Sequence, residues 1–95
     1  MTQEFTITRN DAARRFETSV DGALCVLEYR LHDGVLAIVH TGVPDAVGGR
    51  GIAAALTKAA LDAARAEGWR VRPQCSYAAV YLTRHPEYAD LVDRG

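Results

Sequence analysis

The sequence predicts an α+β fold: a mixed, mostly antiparallel sheet with one long central helix and short C-terminal helices. Three observations carry this expectation. Two Asp-Gly pairs, Asp21-Gly22 and Asp33-Gly34, separate strand-like runs in the first half of the chain, which is the pattern of tight hairpins. Beyond Gly51 the apolar residues recur at helical instead of strand spacing,. Beyond Gly68 one more strand-like run is followed by short helical segments, so strands are grouped early and helices late.

Taken in order, Phe5 and Ile7 with Thr6 and Thr8 suggest a short opening strand, ended by Asn10-Asp11-Ala12,. Arg15 to Val20 forms a second strand. From Ala23 to Leu31 the alternation puts Cys25, Leu27, Tyr29 and Leu31 on one face, with Val26, Glu28 and Arg30 on the other,. Val35 to Thr41 is a nearly continuous β-branched and apolar run, the pattern of a central strand buried on both faces,. In the following helix, Ile52, Leu56, Ala60 and Ala63 form an apolar stripe widened by Ala59 and Ala64. Thr57, Lys58, Asp62 and Arg65 fall away from it,. Alanine supplies high helix propensity and Gly68 a stop,. Trp69 to Cys75 reads as a strand whose Pro73 places it near an edge or a bulge,. Ala78 to Arg84 reads as a short helix, and Pro86 opens a last one over Glu87 to Val92,.

Ninety-five residues, 48% hydrophobic and 24% charged with three prolines, fit one folded soluble domain over residues 1–95. So small a domain has modest stability, to which ligand binding or dimerisation can add, so both monomer and homodimer stay open. A net charge of -1 and a pI near 6.3 argue against a nucleic-acid partner. No run approaches the roughly 18 apolar residues of a membrane span. The N-terminus MTQEFTIT has no basic-then-apolar export pattern,. Cys25 and Cys75 are therefore expected as reduced thiols in the cytoplasm,. No spacing of His, Cys, Asp or Glu suggests a metal site.

The strand-to-helix junction is the informative place. Gly48, Gly49 and Gly51 fall within four positions, where the free N–H groups of a helix start make a cradle for phosphate. A turn that only reverses the chain has the same composition, so both readings stand at this level. A Walker loop is excluded because no Gly-Lys-Ser/Thr follows, and a dinucleotide fingerprint because no βαβ unit opens the chain,.

Four segments in order, His40-Thr41-Gly42-Val43-Pro44, Gly49-Arg50-Gly51-Ile52-Ala53, Pro73-Gln74-Cys75-Ser76-Tyr77 and His85-Pro86-Glu87-Tyr88, resemble the small single-domain branch of the GNAT-type N-acetyltransferases. The resemblance runs from about Phe5 to Val92. It implies acetyl-coenzyme A as cofactor, its pyrophosphate held by the amides of Gly48, Gly49, Arg50, Gly51, Ile52 and Ala53. The pantetheine arm would lie along the splayed strand end at Thr41, Gly42 and Val43. The family signature opens with arginine or glutamine where this chain has Gly48, which implies weaker binding. Arg50 is placed to restore part of the charge.

The same resemblance makes Cys75 the candidate nucleophile, since a thiolate accepts an acetyl group from a thioester at little cost. Its alternative is a small buried apolar residue, which is the reading for Cys25. His40, at the end of the buried strand, is a candidate general base, or equally a strand-end histidine with a satisfied hydrogen bond. His85 reads as structural and His32 as exposed. Tyr77, Tyr81 and Tyr88 are candidates for the acid that reprotonates the departing thiolate, or packing residues. The implied function is transfer of acetyl to an unidentified amine, small molecule or protein, directly or through Cys75. The alternative from another class is a non-catalytic coenzyme A binding or sensing module.

Overall fold

The computed structural model describes residues 5–93, and in it five strands form one sheet whose spatial order follows the chain. These are β1 (Thr8–Asn10), β2 (Arg15–Val20), β3 (Ala23–His32), β4 (Val35–Gly42) and β5 (Arg70–Pro73). Met1–Glu4, where the reading of the N-terminus as lacking an export pattern begins, and residues 94–95 lie outside the described residues. The first three pairings are antiparallel and β4–β5 is parallel. The sheet is mixed and mostly antiparallel, as predicted.

Both Asp-Gly turns form as expected. Asp21 and Gly22 have φ of 49° and 78°, Asp33 and Gly34 50° and 75°, the paired left-handed conformation whose twist matches that of the flanking strands. The opening strand lies later than predicted, because Thr8–Asn10 and not Phe5–Thr8 pairs with β2. Thr6 is held instead through its carbonyl, which accepts a 2.7 Å bond from the Thr18 hydroxyl, and Phe5 and Ile7 pack at the edge of the core.

Helix α1 (Ile52–Glu67) crosses one face of the sheet. Phe16, Val20, Cys25, Leu27, Tyr29, Leu36, Ile38 and Val71 meet Ile52, Leu56, Ala60, Leu61 and Ala64 there, and each large aliphatic side chain so buried stabilises the fold by about 1.5–3 kcal/mol. The buried stripe is rotated from the predicted one: Thr57 and Leu61 are fully buried, while Ala59 and Ala63 sit at its margin. Thr57 tolerates burial because its hydroxyl donates to the Ala53 carbonyl at 2.8 Å, removing the cost of an unpaired polar group. Gly68, at φ 77°, ends α1. Its N–H reaches Arg65 O at 3.3 Å and the Trp69 N–H reaches Ala64 O at 2.8 Å, so two terminal carbonyls are satisfied.

The opposite face carries no packed element among the described residues. Glu28 and Arg30 are exposed there and Val26, Val35, Ala37 and Val39 only half-buried. Strand β4 is thus buried on one face, not two, and it lies beside the edge strand instead of at the centre.

Strand β5 stops at Pro73, short of the predicted Cys75, since proline has no N–H to extend the ladder,. It is an edge strand, where proline is tolerated,. Helix α2 (Ser76–Arg84) starts two residues earlier than predicted because Cys75, with extended φ and ψ, takes the N-cap position. The last segment, Pro86–Leu91, is a 3-10 helix and not an α-helix. It docks on α1 through the Tyr88 hydroxyl, which donates to Asp62 Oδ1 at 2.7 Å. Burial first, and then this bond to a carboxylate, push the Tyr88 pKa up to about 12. A raised pKa means that the contribution is complete below the ordinary phenol value of 10.0 and is lost as pH rises through about 12,. Tyr88→Phe is expected to lower unfolding stability by about 1–2 kcal/mol at pH 7. In denaturant titrations the wild-type advantage should fade over that alkaline window.

Candidate functional site

The site is built where β4 outruns β5. The parallel ladder runs from Val35–Arg70 to Ile38–Pro73, and β4 then continues to Gly42 paired with β3 alone. The Gln74 and Cys75 N–H groups both donate to Ile38 O, at 3.0 and 2.8 Å, which ties the neck of the split. The opening therefore begins at Val39, before the Thr41–Val43 stretch expected from sequence. Within it Glu28 pairs with His40 and Tyr29 with Ile38, so Val39 is an extra residue on β4. A bulge of this kind turns two successive side chains to one face and re-aims the residues beyond it. Here it returns Thr41, opposite Leu27, to the helix side and leaves His40, opposite Glu28, on the bare side.

Beyond Gly42 the chain makes a 3-10 turn over Asp45–Val47, anchored by Val47, which is 2% exposed. The glycine loop comes next. Gly49 and Gly51 have φ of 78° and 81°, the region that L side chains avoid. A Cβ at either would meet nothing within 4 Å, so both face open space. Gly48 differs: its φ of -65° suits any residue. Gly51 caps α1, and the first intrahelical bond is Ala55 N–H to Gly51 O at 3.0 Å. The N–H groups of Ile52, Ala53 and Ala54 thus have no partner within the helix. No acidic side chain stands in the first turn to compete for them. With Val43, the glycines and Tyr77 they line a groove of about 280 Å³. Free amides, the positive end of a helix and room left by missing side chains fit a diphosphate.

Cys75 lies across the split, its sulfur 3.6 Å from the Thr41 hydroxyl. Burial raises the thiol pKa and is the largest single influence, but the Ala78 amide, the Thr41 hydroxyl, the Tyr77 amide and the Thr41 backbone together outweigh it. The thiol is held below its ordinary value. Tyr77 and Ala78 belong to the first turn of α2, so the start of this second helix favours a thiolate at Cys75, while the free amides of α1 face the groove that Tyr77 also lines,. Cys25 is fully buried in the sheet core, and both cysteines are free.

The remaining predicted residues divide clearly. Tyr77 reaches the groove, and burial pushes its phenol pKa up against the opposing pull of Arg84, so it stays protonated at neutral pH. Tyr81 is buried and stacks on His85 with ring centroids 3.9 Å apart. His85 caps the end of α2 and lies 3.3 Å from Glu87 Oε2. Tyr88 is committed to Asp62. Arg50, expected to restore charge to the cradle, instead directs its guanidinium to Asp21 on the β2–β3 turn, at 2.6 Å. His40 is exposed on the bare face, and the polar groups around Cys75 are those of Thr41, Tyr77 and Ala78. His32 is exposed beside Asp33. Sequence reasoning missed Thr41 as the thiol's side-chain partner, because the bulge that turns Thr41 to the helix side, toward the N-cap of α2, shows only once the register is known.

A sequence model of the family described as GCN5-related N-acetyl-transferase matches residues 15–91. The chain is 39% identical over 66 residues to Protein NATD1 of Gallus gallus, covering 70% of this chain and 59% of that protein. It is 36% identical over 77 residues to Protein NATD1 of Mus musculus, covering 77% of this chain and 69% of that protein. The chain therefore spans less than two thirds of the chicken relative's length and slightly more of the mouse one. The NMR solution structure of a GCN5-like protein from Staphylococcus aureus superposes with a TM-score of 0.74 at 30% identity, over 94% of this chain and 88% of that one.

Proposed function

Because the chain belongs to the GCN5-related N-acetyltransferase family, we propose that it binds acetyl-coenzyme A in the glycine-loop groove and transfers the acetyl group to an amine. Acetyl-coenzyme A supplies an activated acetyl thioester. The observation that carries the reading is the pairing, across one strand split, of a ready anion cradle at Gly49–Ala54 with the acidified thiol of Cys75. The amides of Gly49 to Ala54 hold the pyrophosphate, and the β4 edge from Val39 to Val43 holds the pantetheine arm. With acetyl-coenzyme A bound, Cys75 would act as nucleophile on the acetyl carbon as the bond to the cofactor sulfur breaks, and Tyr77 would give its hydroxyl proton to the released thiolate and regain one from water. An amine then takes the acetyl group from Cys75, and His40 takes the amine's proton. One unit suffices for these steps, in the cytoplasm, with no nucleic acid.

Calorimetric titration with acetyl-coenzyme A, paired with thermal melts, tests the reading. Heat of binding and a melting temperature that climbs with ligand concentration are expected. Absence of both would refute it. Gly48→Gln refines the same experiment, because the backbone there accepts any residue and the nearest atom to an added Cβ, Asp45 O, lies at 3.4 Å. The added side chain supplies the family's missing donor, and affinity should rise about fivefold.

A further inference from the structure

With acetyl-coenzyme A in the groove beside Cys75 and Tyr77, the helix side of the split is taken up, which leaves the other side of the sheet to the amine. That side carries a specific set of groups. We propose that this bare face is the acceptor site, where the Glu28 carboxylate receives an alkylammonium group and His40 takes its proton. The inference rests on the transferase reading of the groove.

Three observations carry it. The bulge at Val39 places Glu28 and His40 opposite each other on the bare face, one register step from the Leu27–Thr41 pair whose hydroxyl contacts Cys75. The His40 ring lies over Gly42: a Cβ added at Gly42 would stand 3.2 Å from His40 Nε2 and 3.5 Å from Val26 Cγ2. The ring is thus directed along β4 toward the cofactor loop, into space that only glycine leaves. Finally, the two acids of this patch are not equivalent. Glu17 is held by Arg15 and Asn10. Glu28, although opposite Arg15 in the ladder, is exposed and makes no ion pair or hydrogen bond among the described residues.

Next to this carboxylate, Val26 and Leu24 continue the same face of β3, Val26 half-buried and Leu24 50% exposed. An apolar strip leading to an unpaired carboxylate fits a cation on a flexible alkyl arm, as in a lysine side chain, whereas an aromatic amine, neutral at pH 7, brings no charge for Glu28 to pair. One N–H proton of the ammonium passes to His40, and the free amine attacks the acetyl carbonyl. The carbon–sulfur bond breaks, Cys75 leaves as thiolate, and the nitrogen gives its second surplus proton to water. His40 returns the proton to water.

The test compares wild type, Glu28→Gln and Glu28→Asp with a trilysine peptide and with aniline, by steady-state kinetics and by NMR shift titration of the peptide without cofactor. Glu28→Gln should raise both the KM and the dissociation constant for trilysine about fivefold, the scale of an exposed ion pair. The KM for aniline, which brings no charge to Glu28, should change much less than that for trilysine, the affinity for acetyl-coenzyme A should not move, Glu28→Asp should recover most of the loss, and added salt should erase the difference. Trilysine binding equal in wild type and Glu28→Gln overturns the acceptor assignment alone. A wild type that binds no acetyl-coenzyme A and transfers to neither amine overturns the transferase reading together with it.

Discussion

Gly51→Val is expected to lower the affinity for acetyl-coenzyme A about a hundredfold. Gly51 caps α1 at φ 81°, where a β-branched residue is strained by about 1–2 kcal/mol and pulls the backbone toward negative φ. The amides of Ile52 and Ala53 then turn away from the groove, and each charge-assisted bond lost to a phosphate oxygen is worth about 1.5–3 kcal/mol. Two such bonds correspond to at least about a hundredfold in dissociation constant. Bulk and conformation can be separated, because asparagine tolerates the left-handed region while still placing a side chain where a Cβ now meets open space,. Gly51→Asn should therefore keep the wild-type melting temperature within a few degrees and still weaken binding, by less than Gly51→Val does. Calorimetry on both variants, with circular dichroism to check the fold, decides it. Unchanged affinity in a folded Gly51→Val protein would place the phosphate elsewhere.

Local features were the ones legible in the sequence. Asp21-Gly22 and Asp33-Gly34 set their turns through their own backbone preferences, and Gly68 ended α1 for the same reason,. The glycine loop was readable because three glycines meeting a helix start constrain one another over a few residues. The side to which His40 points was not readable. It depends on the extra residue at Val39, and a bulge is a property of two strands in register, not of either alone,. The same register hid Glu28, which alternation assigns to a polar face and so to solvent, until its partner across the ladder proved to be His40. The rotation of the α1 stripe escaped because Thr57 looks polar, whereas its hydroxyl is satisfied within its own helix. The resemblance implies that Arg50 restores part of the charge missing at Gly48, but Asp21, 29 residues away, holds its guanidinium.

Replacing Cys75 separates chemistry from architecture because two substitutions should move activity and stability in different directions. Cys75 occupies the N-cap of α2 and makes no side-chain cap bond of ordinary geometry. Serine is among the best N-cap residues, so Cys75→Ser should hold or raise unfolding stability by about 0.5–1 kcal/mol, while alanine gives no cap. Both should nevertheless lose at least about a hundredfold in acetyl transfer, because neither side chain is a thiolate at neutral pH. Affinity for acetyl-coenzyme A, carried by Gly49 to Ala54, should stay within about twofold of wild type. In the wild-type protein, alkylation of Cys75 by iodoacetamide should titrate below the pH of an ordinary thiol, as its lowered pKa requires. Thr41→Val, which removes the hydroxyl 3.6 Å from the sulfur, should move that titration upward. Mass spectrometry after incubation with acetyl-coenzyme A alone should find an acetyl group on the peptide carrying Cys75. Full transfer by Cys75→Ala would mean that the amine attacks the cofactor thioester directly, leaving Cys75 as the residue that starts α2 and Thr41 as its neighbour.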